Sequence, residues 1–183
     1  MAVRLNANGT VKLSLLPLST LMLAGIRDIL IVVKESDLIL FKKLLADGSD
    51  FGINISYAIQ KYPNGIPEAF LLGEEFLENS GCALILGDNF FYGQGFASRL
   101  RKITKQKTGS TIFLYRVNNP QDYGIVEMKN RKILKIKEKP KISKSNLAIT
   151  GLYFFDKNVV SLSKKLKPSK RKELEIVDLI KKY

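Results

Sequence analysis

Short aliphatic, β-branched runs alternate along this chain with segments whose apolar residues return every three or four positions, which restricts the fold to a few layered α/β arrangements. Asp28-Ile29-Leu30-Ile31-Val32-Val33 offers water no polar side chain after its first residue, so it suits a strand covered on both faces. Asn54-Ile55-Ser56-Tyr57-Ala58-Ile59, Ala83-Leu84-Ile85-Leu86 and Ser110 to Tyr115 read as further strands. Between them, Leu38, Phe41 and Leu45 share one helical face behind Ser36, a residue able to cap, and Phe96, Leu100 and Ile103 mark another helix. Ile66 to about Leu77 predicts a helix with Pro67 in its first turn. Pro17 to Ala24 is helix-compatible, with Gly25 as the residue that ends it. The rhythm predicts an α/β fold with a doubly wound, mostly parallel sheet.

From Tyr123 the rhythm changes. Gly124 to Met128 and Ile133 to Lys137 alternate on either side of the polar turn Lys129-Asn130-Arg131-Lys132, which predicts a β-hairpin laid beside the main sheet. Asn146 to Phe155 reads as a strand, Val159 to Leu166 as a short helix closed by Pro168, and Ile176, Leu179, Ile180 and Tyr183 as a terminal amphipathic helix. No repeat, low-complexity tract or linker divides the chain, and 183 residues with 45% hydrophobic content suit one globular core.

Candidate chemistry begins at Asp88. It follows a buried strand across the hinge Gly87, at the C-terminal strand end where open α/β sheets place their ligands, although an Asp there also serves as an N-cap or Asx-turn. Histidine is absent, which removes the commonest general base and every Ser-His or Cys-His mechanism. The single Cys82 permits no internal disulfide and reads as a packed thiol in a reducing compartment. The net charge of +13 and pI of 9.8 would favour polyanions, and Lys164-Lys165, Lys167 and Lys170-Arg171-Lys172 form a basic stretch. The lysines lack aromatic interleaving, however, so the pattern reads as a lysine-rich surface rather than a nucleic-acid reader, and the same field would attract phosphorylated substrates. The apolar run from Leu13 to Ile26 is interrupted by Ser14, Pro17, Ser19 and Thr20 and is too short to span a bilayer, so a cytoplasmic protein without membrane contact is expected.

Several ordered segments resemble the sugar-1-phosphate nucleotidyltransferases, most closely the glucose-1-phosphate thymidylyltransferases. They include Pro17-Leu18-Ser19-Thr20-Leu21-Met22-Leu23-Ala24-Gly25, Gln60-Lys61-Tyr62-Pro63-Asn64-Gly65, Leu86-Gly87-Asp88-Asn89, Asp122-Tyr123-Gly124-Ile125-Val126-Glu127, Lys137-Glu138-Lys139-Pro140, Thr150-Gly151-Leu152-Tyr153-Phe154-Phe155-Asp156 and Glu173-Leu174-Glu175-Ile176. The resemblance runs from about Pro17 to the end. It implies a Rossmann-like, glycosyltransferase-A-like fold over residues 17–183, with 1–16 an atypical segment.

The implied reaction joins dTTP, or UTP, to glucose-1-phosphate and releases pyrophosphate, as in nucleotide-sugar biosynthesis of the dTDP-rhamnose type. By resemblance Asp88 is a ligand of Mg2+, Gln60 reads the base with Gly65 beside it, Glu138 accepts from glucose hydroxyls, and Lys139 meets the sugar phosphate. Tyr123, Gly124 and Ile149 wall the hexose pocket. Pro67 stands where the family has alanine.

Two features of the family are missing. Residues 1–16 contain no glycine-rich loop of the type G-G-x-G-T-R-L, and no closing W-x-D-T-G segment with a second metal aspartate occurs. The expectation is an incomplete domain with impaired turnover and no catalytic residue retained. It would be prone to self-association, including as a homo-oligomer, unless a stretch such as Gly9 to Leu13 replaces the missing first strand. The alternative is a non-catalytic protein that docks on a homologue or an anionic polymer.

Overall fold

The computed structural model describes residues 2–4 and 15–183. Strands β1 (Ala2–Arg4), β2 (Asp28–Val33), β3 (Asn54–Ile59) and β4 (Cys82–Leu86) form a parallel half-sheet in the order β3-β2-β1-β4. Helices α1 (Leu15–Leu23), α2 (Glu35–Leu45), α3 (Glu68–Leu72) and α4 (Glu74–Leu77) belong to this half. After α5 (Phe96–Ile103) come β5 (Ser110–Arg116), β6 (Gly124–Lys129), β7 (Lys132–Glu138) and β8 (Leu147–Phe155), all joined by antiparallel ladders. Helices α6 (Val159–Ser163) and α7 (Ile176–Ile180) follow.

Period-two alternation distributes β2 between two cores. Ile29, Ile31 and Val33 pack with Leu21, Phe41 and Leu45 on one face, while Leu30 and Val32 pack with Phe70, Leu77 and Val177 on the other. All are buried, as expected of a strand with no polar face. Helix α1 ends in a Schellman motif, with the Ile26 N–H bonded to Leu21 O at 3.1 Å, the Gly25 N–H to Met22 O at 3.0 Å, and Gly25 at φ +84°.

The structure departs from expectation at several points. The central strand is supplied by Ala2–Arg4, paired to both β2 and β4, whereas Gly9 to Leu13 lies outside the described residues. Ala2–Arg4 is therefore part of the sheet, and α1 begins at Leu15. The α/β class holds, but β5 runs antiparallel to β8 instead of extending the parallel half. Ser36 does not cap α2: the helix starts at Glu35, and the Ser36 hydroxyl donates to Asp37 instead, while Glu35 and Asp37 place negative charge in the first turn. The segment from Ile66 to Leu77 divides into α3 and α4 at Gly73, where a Cβ would sit 2.9 Å from the Leu30 side chain.

β8 organises the molecule. It pairs with β5 on one edge at both ends, with an irregularity between Ile112 and Leu114, while β4, bonded at residues 152–155, and β6, bonded at 147–148, share the other. β4 ends where β6 begins, and the sheet forks between them beside Ile149, Thr150 and Gly151.

Asp156, just after β8, gathers hydrogen bonds from the Gly109 N–H (2.8 Å), the Asn158 N–H (2.9 Å) and the Tyr183 hydroxyl (3.0 Å). The Tyr183 ring packs 5.4 Å from that of Phe155. Burial works to raise the Asp156 pKa, but these donors outweigh it and hold the carboxyl below its ordinary 3.8. Among the described residues, Ser163 Oγ is the buried polar side-chain atom without a partner. Ser163→Ala should therefore leave stability unchanged or raise it, whereas Tyr183→Phe, which keeps the ring, should cost about 1 kcal/mol in denaturant titrations. The Tyr183→Phe deficit should shrink as pH falls through the Asp156 pKa, because the charged acceptor is lost there. A large loss from Ser163→Ala would show that its hydroxyl is satisfied after all.

Candidate functional site

The fork opens at the C-terminal end of β4. Asp88 is exposed there, and its Oδ1 accepts from the Asn89 side-chain amide at 2.8 Å. Asn89 in turn reaches across the gap, its Oδ1 accepting the Gly151 N–H at 2.9 Å. A Cβ on Gly151 would lie 2.6 Å from Asn89 Cγ, so any larger residue there would press on the Asn89 side chain. Asp88 is thus oriented by a side chain that also plugs the fork. Among the described residues no cluster of three or more metal-ligating side chains surrounds it.

Across the fork, Gly124 opens β6 and pairs with Glu138 at the end of β7. A Cβ on Gly124 would meet Val177 at 2.8 Å, Glu138 Oε2 at 3.3 Å and Ile149 at 3.5 Å, so glycine leaves room for Glu138 between β7, β8 and α7. Ile149 is buried, while Tyr123 is 44% exposed and accepts the Lys139 N–H through its carbonyl at 3.0 Å. Lys139 has φ +39°, a conformation that costs a non-glycine residue energy. The strand therefore turns before Pro140, and the exposed Lys139 does not follow simple alternation with Glu138.

Arg171 and Glu175 complete this cluster, although neither stands out in the sequence. Arg171 reads as one member of a lysine-rich run, yet its guanidinium donates to both Glu175 oxygens, at 3.1 and 2.7 Å, and approaches Glu138 Oε1 at 3.4 Å. Glu175 is 7% exposed and also receives the Ser169 hydroxyl at 2.6 Å. Burial, then the nearby Glu175 charge, push the Glu138 carboxyl above its ordinary value, with Arg171 pulling the other way. The Tyr153 hydroxyl is also pushed up, by burial first and then by the fields of Glu138 and Asp88, so both carboxylates act on one neighbourhood.

Gln60 and Gly65 occupy the parallel half. Gln60 is buried rather than an exposed strand end, with its backbone N–H on Val33 O and its side-chain Nε2 donating to Gly65 O at 3.2 Å and to the Glu68 carboxylate. Gly65 has φ +102° and forms a parallel bridge to Leu174, whose backbone a Cβ would overlap. Its glycine is thus required by a chain-to-chain contact. Cys82 is buried, and desolvation pushes its thiol up to about 12, which leaves it inert as a nucleophile. No helix among the described residues is long and apolar enough to cross a membrane.

A carboxylate on a strand end and a second carboxylate pair around an arginine thus stand on the two sides of the forked sheet. The sequence matches the nucleotidyl transferase family over residues 5–183, and the chain belongs to that family. It is 53% identical over 168 residues to the glucose-1-phosphate thymidylyltransferase of Neisseria meningitidis, covering 91% of this chain and 58% of that protein. The thymidylyltransferase of Mycolicibacterium smegmatis is 47% identical over the same shares, 91% and 58%. The chain therefore spans about three-fifths of the length of these curated relatives.

Among solved structures, a Bacillus anthracis protein assigned as a glucose-1-phosphate thymidylyltransferase, in complex with sucrose, superposes with a TM-score of 0.86. That match has 32% identity and covers 97% of this chain and 80% of the other. A UDP-glucose pyrophosphorylase complexed with UDP-glucose has a TM-score of 0.78 at 22% identity, covering 99% of this chain and 85% of the other, which is a likeness of fold alone.

The fork itself is open to test. Gly151→Ala should destabilise by about 1–3 kcal/mol through overlap with Asn89, and adding Asn89→Ala should recover part of that loss. Thermal melts of the two single variants and the double variant measure the coupling; strict additivity would mean Asn89 does not press on Gly151.

Proposed function

We propose that this chain carries the sugar-phosphate half of a glucose-1-phosphate thymidylyltransferase site, in a cytoplasmic enzyme that joins dTTP or UTP to glucose-1-phosphate. A phosphate oxygen of the sugar attacks the α-phosphorus of the triphosphate, the bond to the β-phosphate bridging oxygen breaks, and pyrophosphate leaves. The nucleophile is already ionised, so positioning and charge neutralisation matter more than a general base, in keeping with a chain that has no histidine.

The observation that supports this most is the enclosure of Glu138 by Gly124, Ile149, Arg171 and Glu175 at the fork beside Asp88. Glu138 accepts from glucose hydroxyls, held by the arginine it shares with Glu175. Lys139, released from strand alternation by its positive φ, meets the sugar phosphate. Tyr123 covers the hexose from the exposed side. Gln60 meets the base, with Gly65 closing the loop behind it.

An exposed, hard oxygen donor on a rigid strand end fits magnesium, which takes few protein ligands and retains waters, so Asp88 is the residue that would hold it. When bound, magnesium supplies charge neutralisation on the reacting phosphates.

Ligand-observed NMR should detect glucose-1-phosphate or dTDP-glucose binding in the millimolar range, about 4 kcal/mol, and Glu138→Ala should abolish it. Lys164→Ala removes only an exposed ion pair with Glu74 and should leave binding unchanged. Equal binding by wild type and Glu138→Ala would remove the sugar pocket from this reading. Binding of dTDP-glucose should also weaken as pH falls, with a midpoint above the ordinary glutamate value of 4.5, because the raised Glu138 pKa brings protonation in early. With no paired glycines in residues 1–16 to cradle a triphosphate, the 183-residue chain should release no measurable pyrophosphate from dTTP and glucose-1-phosphate.

A further inference from the structure

The Gln60 side-chain amide is locked in one orientation. Its Nε2 is shared between Gly65 O, at 3.2 Å, and one oxygen of Glu68, whose other oxygen accepts the Asn64 side-chain amide at 2.7 Å. Both Gln60 amide hydrogens are therefore consumed inside the protein. Rotating the amide by half a turn would set Oε1 against a carbonyl and a carboxylate, two acceptors with no proton between them, in a residue only 6% exposed. No donor among the described residues reaches Oε1, and Oε1 is not among the buried atoms left without a partner, so it retains access to solvent. The group that Gln60 presents outward is an acceptor only.

Resting on the reading of Gln60 as the base contact, we propose that Glu68 is a positioning residue that turns this contact into a fixed acceptor and so selects bases whose ring nitrogen carries a proton. Thymine and uracil present N3–H, which donates to Oε1. Cytosine presents an unprotonated N3, whose lone pair would face the Oε1 lone pairs. An unconstrained glutamine would tolerate both, because a flipped amide offers its N–H to cytosine. Discrimination therefore comes from Glu68, one residue removed from the base, by making the flipped state costly.

Glu68 stands at the start of α3, directly after Pro67, whose φ of −61° and helical ψ set the first turn. The acceptor that receives Gln60 is thus held by the helix start, while Asn64 grips its second oxygen from the loop. Replacing Glu68 by Gln removes the charge and supplies a donor as well as an acceptor, so either amide orientation of Gln60 can then be satisfied.

The test compares dTDP-glucose, CDP-glucose and glucose-1-phosphate binding to the 183-residue chain and to Glu68→Gln by titration calorimetry. Wild type should prefer dTDP-glucose over CDP-glucose by about tenfold or more, and Glu68→Gln should bring the ratio close to one while glucose-1-phosphate affinity stays the same. Should Glu68→Gln fail to fold, Glu68→Asp withdraws the carboxylate from Gln60 while keeping its charge, and should lower the same ratio. Undiminished discrimination in the folded variant would overturn the role of Glu68 and leave the base site standing. Equal wild-type binding of dTDP-glucose and CDP-glucose, each no tighter than glucose-1-phosphate, would instead remove Gln60 as the base contact.

Discussion

The hydrogen bond from the Gly151 N–H to Asn89 Oδ1 closes a gap that the sheet cannot close with backbone. β8 has β5 alone along one edge, but along the other it is shared by β4 and β6, which meet end to end. At such a junction neither neighbour supplies a ladder acceptor, and a buried N–H left unpaired costs as much as a lost hydrogen bond. Asn89 supplies the acceptor from the residue after Asp88, so satisfying the fork also orients the carboxylate. The opening exists because one strand ends and another starts, and the fork sets the C-terminal end of β4 against the first pair of the β6-β7 hairpin.

Electrostatics within the opening run opposite to the rest of the surface. A chain of net charge +13 places Asp88, Glu138 and Glu175 around this end of the sheet, with Arg171 bridging two of them. Taking carboxylates out of water is costly, and the raised Glu138 pKa records that cost. The arrangement is maintained because Arg171 and Ser169 satisfy Glu175, which leaves Glu138 the less committed acceptor. Lysines elsewhere remain exposed and scattered, as a general field that favours phosphorylated ligands without specifying one.

Much of the sheet was legible from the sequence, because β2 and β4 carry apolar runs that only two-sided burial explains, and β3 alternates polar and apolar residues over its first half. The hairpin was legible too, since Asn130 and Arg131 at φ +51° and +61° form the tight polar turn that the alternation brackets. β1 was not, because three residues are too few to carry a periodic signal and are held by strands distant in sequence. The close approach of the Leu30 side chain to Gly73, where α3 gives way to α4, is a contact that no local pattern reveals. Within the site, Asp88 and Glu138 could be singled out by their motifs. Arg171 was hidden among lysines, and the reasons for Gly65 and for the orientation of Gln60 lie in Leu174 and Glu68, partners that only the folded chain brings together.

A sugar phosphate bound at the fork would be sensed first by the residues around Gly151. At 20.6 kDa the protein is small enough for residue-resolved amide NMR. Titration with glucose-1-phosphate should shift the amides of Gly124, Glu138, Lys139 and Gly151 together, with a common saturation curve. A contrasting cavity of about 1230 Å³ lies at the opposite end of the sheet, lined in part by Asn54, Ser56, Lys105 and Lys157. Shifts confined to those residues, with Gly124 and Gly151 unmoved, would place the sugar phosphate away from the fork.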